Sequence, residues 1–319
     1  HFFYKYDKEF NLDNFIESDI NLKIQVTSKD TYLKKNKIKS NIINSDNILE
    51  NGDDGADIID GGADDDTIDY SVLESNISVA LNQDTQSTVS IDGTVSDKIV
   101  NIENIIGGSG DDIISGDDKD NSLIANDGDD KLLGGKGDDY LFGGENTAIG
   151  DTVDFTYISS TDSDNGVNVD LLAKQASDMS AGDEVGNDII KSIENVLGSK
   201  NDDQIKGNDD ANSLYGNAGD DLVIGTKGND YLDGGTNTSI GDTLSYENFA
   251  DELTIDLNSG TATGNGSDTI LNFENIIAGN DNDMIIMKED DKENIIDGKA
   301  GTDTISYENY NNKVTVDLN

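Results

Sequence analysis

Aspartate and glycine recur along this chain in a nine-residue cadence suited to holding a hard cation. The clearest run reads G-G-S-G-D-D-I-I-S at Gly107–Ser115, followed in phase by G-D-D-K-D-N-S-L-I, A-N-D-G-D-D-K-L-L and G-G-K-G-D-D-Y-L-F through Phe142. Position six of these units is Asp112, Asn121, Asp130 and Asp139, and position eight is Ile114, Leu123, Leu132 and Leu141. The register returns over Gly198–Asp233, with Asp203, Asn212, Asp221 and Asp230 at six and Ile205, Leu214, Val223 and Leu232 at eight. Shorter versions lie at Gly52–Asp69 (Asp57, Asp66; Ile59, Ile68) and Ala278–Ser306 (Asp283, Asn294, Asp303; Ile285, Ile296, Ile305). Insertions at N-T-A-I-G-D (Asn146) and N-T-S-I-G-D (Asn237) carry the pattern on to Asp151 and Asp242.

A carboxylate at one phase and glycines at others describe an oxygen-lined turn. Glycine at positions one, two and four permits positive φ and lets backbone carbonyls converge. Candidate carbonyl or loop donors at positions one and four are Gly52, Gly55, Gly61, Gly107, Gly110, Gly128, Gly134, Gly137 and Gly143, then Gly198, Gly216, Gly219, Gly225, Gly228, Gly234, Gly298 and Gly301. With the position-six aspartates they offer the all-oxygen shell of six to eight ligands that calcium takes, whereas magnesium demands tighter octahedral geometry. Asn121, Asn212 and Asn294 bring no charge and are expected to bind calcium more weakly. The position-five aspartates Asp111, Asp129, Asp138 and Asp220 read as solvated turn residues.

The apolar residue at position eight calls for a short strand pointing one side chain into a thin core. A longer unit encloses the nonapeptides. Each run ends in a related phrase (D-T-I-D-Y-S at Asp66, D-T-V-D-F-T at Asp151, D-T-L-S-Y-E at Asp242, D-T-I-S-Y-E at Asp303) and an alternating strand follows, as in I-S-V-A-L at Ile77. Then come I-E-N-I-I-G at Ile102, I-E-N-V-L-G at Ile193 and F-E-N-I-I-A at Phe273. Asp97, Asp188 and Asp268 each precede the next run's first position-six aspartate by 15 residues. Length varies in the middle of each unit, which places the insertions in loops on a solenoid's face. Tyr70, Tyr246 and Tyr307 are expected to cover the edge, and Asn104, Asn195 and Asn275 to form a hydrogen-bond ladder at the turns. Glycine-punctuated, β-branched sequence of this kind leaves almost no helix. Residues 1–45 differ: eight lysines against six acids mark the end of an upstream domain, a cap or a linker. Residues 46–319 form the repeat array, with runs at 52–71, 107–154, 198–245 and 278–306 joined by 72–106, 155–197 and 246–277.

The motif G-G-x-G-x-D-x-U-x, intact at Gly107–Ser115 and Gly134–Phe142, resembles the RTX (repeats-in-toxin) haemolysin-type calcium-binding repeat, and the resemblance covers residues 46–319. The longer unit looks like the C-terminal repeats of RTX adhesins, haemolysins and serralysin-type proteases. The resemblance implies an all-β, right-handed parallel β-roll in which two nonapeptides make one turn. Asp112 would then stack with Asp130 and Asp151, Asp203 with Asp221 and Asp242, Asn121 with Asp139, and Asn212 with Asp230. It also implies type I export and folding on calcium outside a bacterial cell, at the surface or as a secreted adhesin or toxin-like protein.

Composition fits and excludes. The formal charge is −46, from 67 acids against 21 basic residues over 319 positions, so nucleic acid and anionic lipid are repelled as partners. A host or cell-surface receptor or glycan stays open as a partner. High charge with low hydrophobicity marks a chain that cannot fold unaided, and several Ca2+ ions would supply what the core lacks. Without cysteine there is no disulfide or thiolate site, and no apolar run is long enough for a transmembrane helix. One histidine (His1) excludes an H-E-x-x-H zinc site and a Ser-His-Asp triad. The chain is read as non-catalytic and, lacking an initiator Met, as an internal piece of a longer polypeptide. Two other readings stand: the secretion and folding appendage of an exported protease, lipase or epimerase, and a cation-independent carbohydrate-binding β-helix.

Overall fold

The computed structural model describes residues 42–44, 49–50, 58–82, 85–158, 166–179, 185–289 and 293–316. Gly52, Gly55 and Asp57 lie outside the described residues. Most nonapeptides end in a three-residue strand centred on position eight, because the residues before it are turn formers, while Ser122–Asp127 and Tyr140–Glu145 run on into the following turn. Examples of the three-residue strand are Ile113–Ser115, Lys131–Leu133, Gln204–Lys206 and Leu222–Ile224. Successive units alternate between a 16-stranded and a 13-stranded sheet. Within each sheet the repeats pair in parallel at the same phase: Ile114 with Leu132, Leu123 with Leu141, Ile205 with Val223 and Leu214 with Leu232. Two nonapeptides therefore complete one turn. The insertions are absorbed without loss of phase, since Leu132 pairs with Val153 and Val223 with Leu244. The result is an all-β parallel β-roll, with no helix among the described residues.

The core is the stack of position-eight side chains between the sheets. Ile59, Ile68, Ile114, Leu123, Leu132, Leu141, Ile205, Leu214, Val223, Leu232 and Ile285 are all buried. Ile296 is half-buried and Ile305 exposed, in the last strands of the described stack. The strand Ile42–Asn44 already pairs in parallel with Ile58–Asp60, so the ladder includes residues before position 46.

The middle of each long unit is part of the sheet, which corrects the expectation of loops on the face. It folds as a three-stranded antiparallel meander: Ile77–Ala80, Ser87–Ile91 and Thr94–Val100 in the first unit. The second is Val167–Asp170, Gln175–Asp178 and Asn187–Lys191, and the third Thr254–Asp256, Thr261–Thr263 and Ser267–Leu271. The third strand of each lies parallel on the preceding turn (Ile59 with Ile99, Leu141 with Ile190, Leu232 with Ile270). The first strand supports the next turn (Val79 with Ile114, Val169 with Ile205, Ile255 with Ile285). Alternation explains the insertion: one face of each strand is apolar, so Val89, Ala176 and Ala262 continue the same core from the central strands.

Tyr70 and Tyr246 also depart from expectation. Both are fully buried, not edge covers, while Tyr307 packs partly buried against the core cluster. Gly225 makes room for the Tyr246 ring, whose atoms occupy the space a Cβ would need.

Candidate metal centre

The position-six side chains stack into columns along the turns. The Asp112 amide donates to Asp130 Oδ1 at 2.6 Å, and the Asp130 amide to Asp151 Oδ1 at 2.8 Å. The same bond links Asp203 to Asp221 at 2.8 Å, Asp221 to Asp242 at 2.9 Å and Asp283 to Asp303 at 3.0 Å. On the opposite side Asn121 donates to Asp139 at 2.8 Å and Asn212 to Asp230 at 2.9 Å. Every neighbour pair expected from the repeat is thus in contact. Asp66, Asp112, Asp130, Asp139, Asp151, Asp203, Asp221, Asp230, Asp242 and Asp283 are buried, and Asp303 is partly exposed.

Each column has two kinds of carboxylate. Asp112 and Asp283 use both oxygens: Oδ1 accepts from Ile77 and Leu253, and Oδ2 from the position-two amides of Gly108 and Gly279. Asp203 does the same with Val167 and Ser199. Asp130, Asp139, Asp151, Asp221 and Asp230 use only Oδ1, and their buried Oδ2 atoms have no hydrogen-bond partner. A buried oxygen without a partner is costly and rare, so each marks a place where a ligand belongs.

Position-one glycine borders that place. A methyl on Gly216 would fall closer than 3.0 Å to both Asp221 Oδ2 and the Gly234 carbonyl oxygen. The same pairing of side-chain oxygen and a carbonyl one turn on occurs at Gly61, Gly107, Gly143, Gly198 and Gly234. None of these glycines has positive φ, so they are required for close approach and not for backbone twist. Positive φ is taken instead at position two (Gly135, Gly144, Gly235) and position four (Gly128, Gly137, Gly219, Gly228, Gly301), though not at Gly110. At Gly134 the nearest oxygens are Asp139 Oδ2 and Asp188 Oδ2, and at Gly298 Asp303 Oδ2. Gly225 differs, because the Tyr246 ring covers the space expected to be left for a cation. Among the described residues no three acidic, histidine or cysteine side chains gather at one point. The centres combine carboxylates with main-chain carbonyls, a set that fits calcium.

Burial pushes Asp130 and Asp221 up to about 8, with the like charges of their column neighbours adding to it. It pushes Asp139, Asp151 and Asp230 up to about 7. Asp112 and Asp203 reach only about 6, because two backbone amides oppose the burial of Asp112 and the Ser199 hydroxyl with two backbone amides that of Asp203. Without a counter-ion these columns resist ionising.

Three contributions escaped the sequence reading. The glutamate of I-E-N occupies a place in the column: the amides of Asp66, Asp151 and Asp242 donate to Glu103, Glu194 and Glu274 Oε2 at 3.0, 2.9 and 3.1 Å. Asp188 and Asp268, on the third meander strands, accept from the Asp139 and Asp230 amides at 2.9 and 3.0 Å. The clue was present, since Asp188 and Asp268 each precede an inward Ile190 or Ile270 by two residues, as position six precedes eight. Position-five aspartates do more than meet solvent. Asp129 accepts from the amides of Thr147, Ala148, Ile149 and Gly150, and Asp220 from those of Thr238, Ser239, Ile240 and Gly241. These bonds outweigh burial and hold both acids well below the usual carboxylate range.

The weaker candidates Asn121 and Asn212 have their side chains engaged within the protein. Their Oδ1 atoms accept the amides of Asp117 and Asn208, and their Nδ2 atoms donate to the Glu103 carbonyl and to Asn208 Oδ1. Asn294 Nδ2 donates to the Glu274 carbonyl. Asn104, Asn195 and Asn275 form the expected ladder, accepting the amides of Ser122, Ser213 and Ile295.

A roll whose turns bury stacked, half-satisfied carboxylates beside glycine has the donor set of a cation-binding β-solenoid. The profile of the RTX calcium-binding nonapeptide repeat matches it in four copies, at residues 51–71, 102–118, 115–147 and 197–232. The chain carries RTX calcium-binding nonapeptide repeats. No curated protein matches it.

Proposed function

We propose that this chain is the calcium-dependent folding segment of a large secreted or surface-exposed bacterial adhesin or toxin-like protein, without catalytic activity of its own. The observation that carries the calcium reading is the set of buried Oδ2 atoms on Asp130, Asp139, Asp151, Asp221 and Asp230, each without a hydrogen-bond partner in the protein. A divalent cation between turns would cancel the mutual repulsion of these carboxylates and tie position six of one turn to a main-chain carbonyl of the next. The candidate ligands are the aspartates Asp112, Asp130, Asp151, Asp203, Asp221, Asp242, Asp283 and Asp303, with the main-chain carbonyls that face Gly107, Gly143, Gly198, Gly216 and Gly234. Millimolar calcium outside a cell would then favour the roll, while scarce calcium inside would leave an extended chain able to thread an export channel. The occurrence of such repeats in secreted bacterial proteins supports the extracellular placement.

Far-UV circular dichroism and titration calorimetry test this. The expected result is a disordered spectrum in EGTA, a β spectrum in millimolar CaCl2, and saturable uptake of several ions. A full β signal retained in chelator would overturn it and favour the cation-independent carbohydrate-binding helix.

A further inference from the structure

We propose that Asp139 and Asp188 form a calcium site that the nonapeptide motif does not encode, its second carboxylate coming from the antiparallel meander of the second long unit. The proposal rests on the calcium reading above and adds one site to it. Asp188 lies on the strand Asn187–Lys191, outside every segment that matches the repeat. That strand runs parallel to Tyr140–Glu145 with Ile190 opposite Leu141, so Asp188 falls beside Asp139 as if it were the position six of another turn. The Asp139 amide confirms the register, donating to Asp188 Oδ1 at 2.9 Å.

Both acids are buried, at 2% and 1% exposure, and the Oδ2 atom of each has no hydrogen-bond partner. The two oxygens converge on one place. A Cβ built on Gly134 would have Asp139 Oδ2 and Asp188 Oδ2 as its nearest oxygens, the latter at 3.3 Å. The charges that act on the pair are negative: Asp138 and Asp178 on Asp188, and Asp120, Asp117 and Asp138 on Asp139. Two buried carboxylates with acidic neighbours, both bordering the space beside Gly134, can be ionised together only with a cation, and a hard divalent ion is the one such oxygens select.

The third unit contains an internal comparison. Asp268 bears the same relation to Asp230, accepting its amide at 3.0 Å. There the Tyr246 ring covers Gly225, and its hydroxyl donates to Asp268 Oδ2 at 2.7 Å. The corresponding residue of the second unit is Phe155, which has no hydroxyl to give. Asp268 is thus satisfied by the Tyr246 phenol, whereas Phe155 offers Asp188 none.

Calorimetric titration with CaCl2 of the whole chain, as wild type, Asp188→Asn and Asp268→Asn, reads the site directly. Asp188→Asn is expected to lose one equivalent of calcium and Asp268→Asn none, with circular dichroism at saturating calcium reporting the fold of each. Equal counts for wild type and Asp188→Asn, or equal losses in both variants, overturn the proposal. A long-wavelength anomalous difference map of wild-type crystals grown in CaCl2 does not depend on any variant folding. It should show a peak between Asp139 and Asp188 and none between Asp230 and Asp268, and absence of the first peak overturns the site. A wild-type chain that takes up no calcium would sink the broader reading. One that binds calcium elsewhere but not at Asp188 would sink only this proposal.

Discussion

Asp130→Asn separates the two roles of the buried columns, because its effect must change sign with calcium. Asp130 sits between Asp112 and Asp151, accepts one amide through Oδ1, and is pushed from 3.8 to about 8 chiefly by burial. A carboxyl raised on folding contributes stability that is fully present below pH 3.8 and is lost as pH rises through about 8. At pH 7.5 the cation-free fold must take up most of a proton at this residue, which costs on the order of a few kcal/mol at roughly 1.36 kcal/mol per pH unit. Asparagine keeps the acceptor and removes that cost. In EGTA the variant should therefore be the more stable, and its β signal should return at a higher pH on acidification than that of wild type. In calcium the variant lacks one charged ligand. An ion present at about 100 times its dissociation constant contributes roughly 2.7 kcal/mol, which the variant loses in whole or part. The pH at which the circular dichroism β signal returns on acidification in EGTA, and urea unfolding in CaCl2 at pH 7.5, measure the two arms. Destabilisation in both buffers, or no change in either, would refute the reasoning.

Three further substitutions probe the glycines and the outer acids. Gly216→Ala should remove one calcium equivalent and cost about 1–3 kcal/mol, because its methyl would crowd Asp221 Oδ2 and the Gly234 carbonyl. Gly93→Ala, at φ +74 with no atom within 4 Å, should cost about 1–2 kcal/mol through backbone strain alone and leave the calcium count unchanged in calorimetry. Asp220→Ala should raise amide hydrogen exchange at Thr238–Gly241 by about tenfold or more while the sheets stay protected, since four of those amides bond to its carboxylate. Because these bonds hold Asp220 low, wild-type protection should persist through pH 5 and fail only as pH falls below the ordinary carboxylate range.

The roll was legible because its code is local. Position eight always points inward, and parallel register follows once Leu123 meets Leu141 and Leu132 meets Ile114. The columns followed from the same phase. The meanders were less readable, since a strand such as Asn187–Lys191 carries the aspartate and inward isoleucine of a repeat with Gly186 at position four but no glycine at positions one and two. Their chain path also runs backwards through the stack: the third strand adjoins the earlier turn and the first strand the later one. Only long-range pairing decides that order. The role of position-one glycine was misread for a related reason, while positions two and four largely take the expected positive φ. Positive φ is a property of one residue, but the crowding at Gly216 depends on Gly234, a full turn away.

The asparagines acquire a physical meaning from the same stacking. Ser122 and Ser213 bond to Asn104 and Asn195, which sets Asn121 and Asn212 in register with Glu103 and Glu194. Asn294 stands likewise beside Glu274, bonding its carbonyl. In every long unit, then, the step after the glutamate is neutral. An aspartate there would set another carboxylate against the glutamate at a point where asparagine Nδ2 instead donates to the Glu103 or Glu274 carbonyl. The column that contains Asn212 accordingly falls into two acidic segments, Asp112–Asp130–Asp151–Glu194 and Asp230–Asp268, with Asn212 between them. Repulsion along a stack of buried carboxylates grows with every unbroken step, so a neutral member limits how many cations must bind together before a segment can close. On this reasoning the asparagines are separators that let each stretch of roll fold on its own complement of ions.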